Sequence, residues 1–185
     1  MGQVVLLRYF FFLLIVMQAN TISKRTHRWA IGSYFFIAGI TFASWASRIP
    51  DIKEKLQLND AELGGILFAL PAGSMVSLPI SGWLVSKLGS RTVMLIAAII
   101  YPILLLLLGT ASTTFILTSL LFCFGLLGNM MNISVNTQAV AVEELYGRSI
   151  LASFHGIWSM AGFTGAAVGT LMISFGFDPL KHFSI

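Results

Sequence analysis

The sequence predicts an all-α, polytopic membrane helix bundle. Two observations carry that prediction. The chain is 57% hydrophobic and only 10% charged, with a mean hydropathy of +0.88, whereas soluble domains carry about 25% charged residues. The apolar residues also come in long runs, close to the roughly 20 residues a helix needs to cross hydrocarbon. Such runs are too long for strands and lack period-two alternation.

Six apolar runs are marked along the chain: Val4–Ala19, Trp29–Ile49, Ala61–Val85, Val93–Gly109, Phe115–Val142 and Ile150–Phe175. No long polar stretch separates them, so one membrane domain is expected over residues 25–185. The first run differs. Its uninterrupted core, Tyr9–Met17, is short and Arg8 precedes it. Residues 1–24 read as a signal-like leader, an extra N-terminal helix, or a non-native extension from an upstream start. Met17-Gln18-Ala19 is a poor small-x-small cleavage site.

Cation placement sets orientation. With the Trp29 run entering from the cytoplasm, Lys24, Arg25, Arg28, Lys87, Arg91 and Arg148 lie inside, and Arg48, Lys53, Lys55 and Lys181 lie outside. The outer Asp51–Asp60 loop also carries acids, and the Gly109–Thr114 turn is uncharged. Trp29 and Trp83 fall at inner boundaries, where indole rings favour the interface.

The most informative stretch is Gly82-Trp83-Leu84-Val85-Ser86-Lys87-Leu88-Gly89-Ser90-Arg91. It is a short basic turn between two long apolar runs, with glycines that let the backbone bend. Helices joined this tightly are expected to be antiparallel neighbours. The stretch resembles the signature G-x-x-x-D-[RK]-x-G-[RK]-[RK] between helices two and three of the major facilitator superfamily. Gly82, Lys87, Gly89 and Arg91 match it; Ser86 stands in place of the acid and Ser90 in place of one cation. The runs Ala43-Ser44-Trp45-Ala46-Ser47-Arg48-Ile49-Pro50-Asp51-Ile52 and Ala61-Glu62-Leu63-Gly64-Gly65-Ile66-Leu67-Phe68 look like its fucose-permease-like bacterial branch.

The resemblance implies secondary transporters with two six-helix halves around a central cavity, working by alternating access. It covers residues 25 to 182, matches helices one to five of the first half, and stops at His182-Phe183-Ser184-Ile185, where helix six is expected. The chain is thus expected to be a partial N-terminal half, inactive without C-terminal helices or another subunit. It also implies a multi-pass protein of a bacterial inner membrane, with the bilayer and a small polar solute, such as a sugar, as partners. The competing reading is a non-transporting membrane protein that acts by helix–helix association.

Polar residues within hydrocarbon are the default functional candidates. Asn129, Asn132 and Asn136 recur at i, i+3 and i+7 and share a helix face. They either line a cavity or bond neighbouring helices. The branch usually carries an acid at Asn132 and another near Ala46; both are absent here, so proton coupling through this half lacks its usual groups. His155, Trp158, Ser159 and Gly162 form a stripe on the next helix. Antiparallel packing through the Glu143–Arg148 turn would put Asn136 level with His155, and Asn132 level with Ser159. His155 is either a proton carrier or a neutral donor to a neighbour. Trp45 either stacks on a sugar ring or packs against a helix. Arg48 is expected to snorkel outward. The candidate cavity set is therefore Trp45, Asn129, Asn132, Asn136, His155, Trp158 and Ser159, with Gly82, Lys87, Gly89 and Arg91 as a conformational loop.

Gly156, Gly165 and Gly169 match part of an antiporter spacing, but Thr170 replaces its proline. Ala161, Gly165 and Gly169 more simply permit close helix approach. Pro71, Pro79 and Pro102 interrupt helical bonding. Chemistry is nearly absent from the pattern. There is no phosphate-cradling loop, no metal-ligand spacing and no cofactor motif, and Ser153 and His155 cannot face each other. The lone Cys123 allows no internal disulfide. The net charge of +4 sits at helix ends and forms no nucleic-acid stripe. An enzyme is not expected.

Overall fold

The computed structural model describes residues 23–185. Apart from Ser23 and Lys24, the leader of residues 1–24 lies outside the described residues. The described chain is helical throughout: α1 (Lys24–Ser47), α2 (Ile49–Lys55), α3 (Asp60–Leu67), α4 (Ala69–Leu88), α5 (Ser90–Thr110), α6 (Thr114–Tyr146), α7 (Leu151–Ser174) and α8 (Pro179–Phe183). Five spans are long and apolar enough to cross a membrane, with α3 and α4 forming one of them.

Capping and proline chemistry set the ends. Ser23 accepts from the Thr26 amide at 3.2 Å, so α1 starts five residues before its apolar run. Pro50 has no N–H to donate back along α1, and the chain turns at Arg48 before α2. The Asp51–Asp60 stretch, read above as a loop, thus contains most of a short helix. Asn59 and Glu62 form a capping box that opens α3. Pro71 likewise leaves the Leu67 carbonyl without its helical donor, and the span expected as one helix is interrupted at Phe68. Pro79 and Pro102 sit inside α4 and α5. Gly147 closes α6 in the left-handed region at φ 64°. The Glu143 carboxylate accepts from the Ile150 and Leu151 amides at 2.6 and 2.7 Å, capping α7.

Small residues decide which helices meet. The buried face of α4 is Ala69, Gly73, Ser77 and Ser81, one residue every four. It lies on α6 so closely that a Cβ on Gly73 would collide with the Phe122 carbonyl, and one on Gly125 with that of Leu70. The α1–α7 contact is built the same way. Gly39 faces Ala161 and the Trp158 carbonyl, Gly165 faces Ala43, and Gly169 faces Ser47. Ala161, Gly165 and Gly169 therefore serve the close approach expected of them. Because its small face is turned to α1, α7 touches α6 little beyond their joining turn. The lengthwise α6–α7 packing on which the levelling of Asn136 with His155 was based does not form.

Arg48 departs from expectation too. It is 1% exposed and does not snorkel. Its Nη1 pairs with Asp51 Oδ2 at 2.5 Å, and its Nε donates to His182 Nδ1 at 3.1 Å. The pair docks α8 against the α1 end. Lys55 donates to the Gly109 carbonyl at 3.4 Å beside it. Arg48 Nη2 and His182 Nε2 are buried without a protein partner among the described residues.

Two predictions follow from this packing. Gly73→Leu should destabilise the purified chain by about 2 kcal/mol, because the added side chain must push α6 away. Gly82→Ala should be neutral or gain about 0.5 kcal/mol, since Gly82 has open space around it. Thermal melting in detergent checks both; equal melting of the two variants contradicts the packing account.

The second concerns His182. Accepting on Nδ1 makes the ring neutral, and burial first, then the Arg48 charge, hold its pKa below the ordinary histidine value, with Asp51 opposing. The neutral form is favoured in the fold, so its stabilisation is complete above the unfolded pKa of about 6.5 and declines as pH falls below it. The melting temperature should drop between neutral pH and about pH 5, and His182→Gln should flatten part of that slope. Identical pH profiles for parent and variant would exclude His182 as the source.

Candidate functional site

A cavity of about 280 Å³ opens between α1, α4, α5, α6 and α7. That is near the lower end of small-molecule pockets, roughly 300–1,000 Å³. Its walls carry five aromatic rings: Phe35, Phe42, Tyr101, Phe124 and Trp158. Its polar groups are Ser74, Asn129 and Asn132. Tyr101 stacks on Phe124 with centroids 4.3 Å apart. Gly128 lets it lie there, since a Cβ at Gly128 would come within 3.0 Å of the tyrosine ring.

The three asparagines have different attachments. Asn129 donates to the Ser74 carbonyl at 3.0 Å, while Ser74 Oγ donates to the Gly125 carbonyl at 3.1 Å. These bonds cross-link α4 and α6 in both directions. Asn136 donates to Asn132 Oδ1 at 2.9 Å and to the Asn132 carbonyl at 2.8 Å. That bond orients the Asn132 carboxamide, whose own N–H groups have no bond among the described residues. Asn132 thus offers donors at the cavity wall, held by the residue one turn away.

The candidates from sequence separate accordingly. Asn129, Asn132 and Trp158 line the cavity together, and Asn136 supports Asn132 from outside it. Trp45 is 2% exposed and packs in the core near Phe124, so it belongs to the packing and not to the cavity wall. His155 is exposed and stands edge-on at 5.4 Å to Phe35, a residue of the cavity wall, but neither His155 nor the exposed Ser159 lines the cavity itself. Both were placed by the lengthwise packing that does not form. The sequence reading missed Tyr101 and Ser74. A hydroxyl-bearing ring beside Pro102 within an aliphatic run was the available signal for Tyr101.

At the other candidate region, Gly89 alone links α4 to α5 at φ 79°, a backbone conformation that favours glycine. Gly82 lies within α4 and makes no bend. Lys87 and Arg91 are exposed. Ser90, at the position of a signature cation, accepts from Gln138 Nε2 at 2.7 Å, so a neutral hydrogen bond ties this turn to α6.

No Asp, Glu, Lys or Arg lines the cavity. Among the described residues no cluster of three or more His, Cys, Asp or Glu could hold a metal. The arrangement offers stacking faces and neutral donors and acceptors, which suit binding of an uncharged polar molecule and provide no nucleophile–base pair.

Comparison with known proteins agrees with the helical pattern. The Major Facilitator Superfamily family model matches residues 7–178. An uncharacterized MFS-type transporter of Yersinia pestis is 37% identical over 79% of this chain and 38% of its own length. An uncharacterized transporter of Sinorhizobium fredii is 34% identical over 84% of this chain and 41% of its length. The membrane protein MosC of Rhizobium meliloti is 33% identical over 77% and 34%, respectively. The chain therefore spans well under half the length of these relatives. No solved structure matches. With five apolar spans and a family match across most of its length, the chain is a multi-pass membrane protein that belongs to the Major Facilitator Superfamily.

Proposed function

We propose that this chain is the N-terminal portion of a secondary active transporter of the fucose-permease-like branch, moving a sugar or another small polar solute by alternating access. The observation that carries the reading is the cavity where Asn132, Asn129 and Ser74 meet Tyr101 and Trp158. Stacking on an aromatic face with a few neutral hydrogen bonds is how an uncharged ring-shaped polyol is held. The lack of acids on the cavity wall argues against these residues as proton carriers.

Alternating access needs a second bundle facing the first. The five spans described here form one wall of such a pathway, so they are proposed to bind solute weakly and to transport only with the partnering helices. The cation distribution supports the orientation. Lys24, Arg25, Arg28, Lys87, Arg91 and Arg148 gather at one end of the alternating helices, and that end is proposed to be cytoplasmic.

Proteoliposome uptake of a panel of labelled sugars tests the transport reading, with the chain alone and with co-expressed C-terminal helices of a relative. Uptake is expected only in the second case. Saturable uptake by the chain alone would contradict the half-pathway reading, and absence of uptake and binding in both would favour the helix-association alternative. Asn132→Ala should abolish solute-induced thermal stabilisation while leaving the parental melting temperature nearly unchanged. Asn129→Ala should instead lower stability by about 1 kcal/mol, because it breaks an interhelical bond. For orientation, cysteines placed at Ser90 and Asn59 in a Cys123→Ser background should differ in intact cells: an impermeant thiol reagent should label position 59. Labelling at position 90 would reverse the topology.

A further inference from the structure

A second pocket, distinct from the cavity, lies at the N-terminal end of α1. Its volume is about 780 Å³, and its lining is Lys24, Arg25, Arg28, Trp29, Tyr146, Arg148 and Ile157. Three cations of α1 and one of the α6–α7 turn thus come to one place. Like charges gathered this way repel one another unless an anion sits among them.

No acid among the described residues performs that task. The lining holds no Asp or Glu. Glu143, the nearest acid on α6 with Glu144, spends its carboxylate on the Ile150 and Leu151 amides and the Ser149 hydroxyl. Glu144 makes no ion pair among the described residues; the ion pairs there are Arg48–Asp51 and Lys53–Asp60, on α2 and α3 at the other end. The preceding residues 1–22 contain neither Asp nor Glu.

The pocket is also ordered before any anion arrives. Arg28 Nη2 donates to Ser153 Oγ at 3.1 Å, and its guanidinium stands 5.8 Å from the Tyr146 ring centroid. Both partners are neutral, so the charge remains uncompensated. Beside the cations, Trp29 is 78% exposed and Ile157 adds an apolar surface. An occupant therefore has an anionic head and an apolar body.

We propose that this pocket binds the phosphate of an anionic phospholipid, with Arg25, Arg28, Lys24 and Arg148 around the phosphate and Trp29 and Ile157 against the glycerol and upper acyl chain. Basic pockets between membrane helices hold anionic headgroups by this combination. Arginine suits it, since its planar fork bonds phosphate oxygens in pairs. The site would tie the N-terminal end of α1 to the α6–α7 turn through the lipid, independently of any solute.

The test uses the purified chain in phosphatidylcholine nanodiscs, in discs with phosphatidylglycerol added, and in phosphatidylcholine discs with inorganic phosphate. Phosphatidylglycerol should raise the melting temperature and leave a lipid adduct in native mass spectra. Arg25→Gln with Arg148→Gln, both exposed positions, should weaken phosphatidylglycerol binding by about thirtyfold. Lys87→Gln with Arg91→Gln, at the same end of the bundle, should leave it unchanged. Equal losses in the two double variants would show diffuse attraction to an anionic surface and overturn the site. Stabilisation by inorganic phosphate without preference for phosphatidylglycerol would assign the pocket to free phosphate instead. No response to either anion would overturn the proposal and leave an acidic protein segment as the occupant.

Discussion

The fold rests on backbone-to-backbone contact between helices. Lipid tails are as apolar as leucine, so burying leucine between helices gains little in a bilayer, and close fit takes over. Gly73 and Gly125 let α4 and α6 meet at the level of their carbonyls, and Gly39, Gly165 and Gly169 do the same for α1 and α7. These two close pairs settle which helices are neighbours. The cavity lies where they diverge, and large rings such as Phe42, Tyr101 and Trp158 fill the sides that small residues do not draw together.

Polar groups are distributed by the same logic. At the close contacts they are spent locally, as with Ser77 and Ser81 bonded at 2.9 Å or Asn129 on the Ser74 carbonyl. Arg48, buried near the bundle end, is compensated by Asp51 and by a neutral histidine brought in by α8. An unpaired buried charge would be far more costly. Among the amides of the cavity wall, Asn129 is bonded to the Ser74 carbonyl, and Asn132 is the one whose donors stay uncommitted. Its position follows from packing and not from any property of asparagine itself.

Some of the site was legible beforehand. A three-residue asparagine recurrence on a helix period places all three on one face whatever surrounds them, and Asn129 and Asn132 do reach one cavity. Trp158 was found by the same periodicity. Trp45 could not be assigned, because a tryptophan between apolar neighbours looks alike in a core and in a cavity wall. His155 and Ser159 were set level with the asparagines because the short turn suggested that α6 and α7 pack on each other along their lengths, which they do not. A short turn brings helix ends together, but it does not bind their full lengths; α7 leans on α1 because its glycines face that way. Arg48 was misjudged because its partner His182 is 134 residues distant, and no local pattern reveals such a contact.

The sequence by itself determined the class and the five apolar spans of the described residues. Those follow from hydrophobic run lengths and the placement of caps, prolines and cations, all of which act within a few residues. It also determined that the hydrocarbon-level polar groups are neutral amides, hydroxyls and an imidazole. Tertiary structure alone decided which faces meet, because the Ala69-Gly73-Ser77-Ser81 stripe of α4 and the glycine stripe of α7 each select a partner only through three-dimensional fit. That choice decided which of the polar residues face a common cavity and which do not.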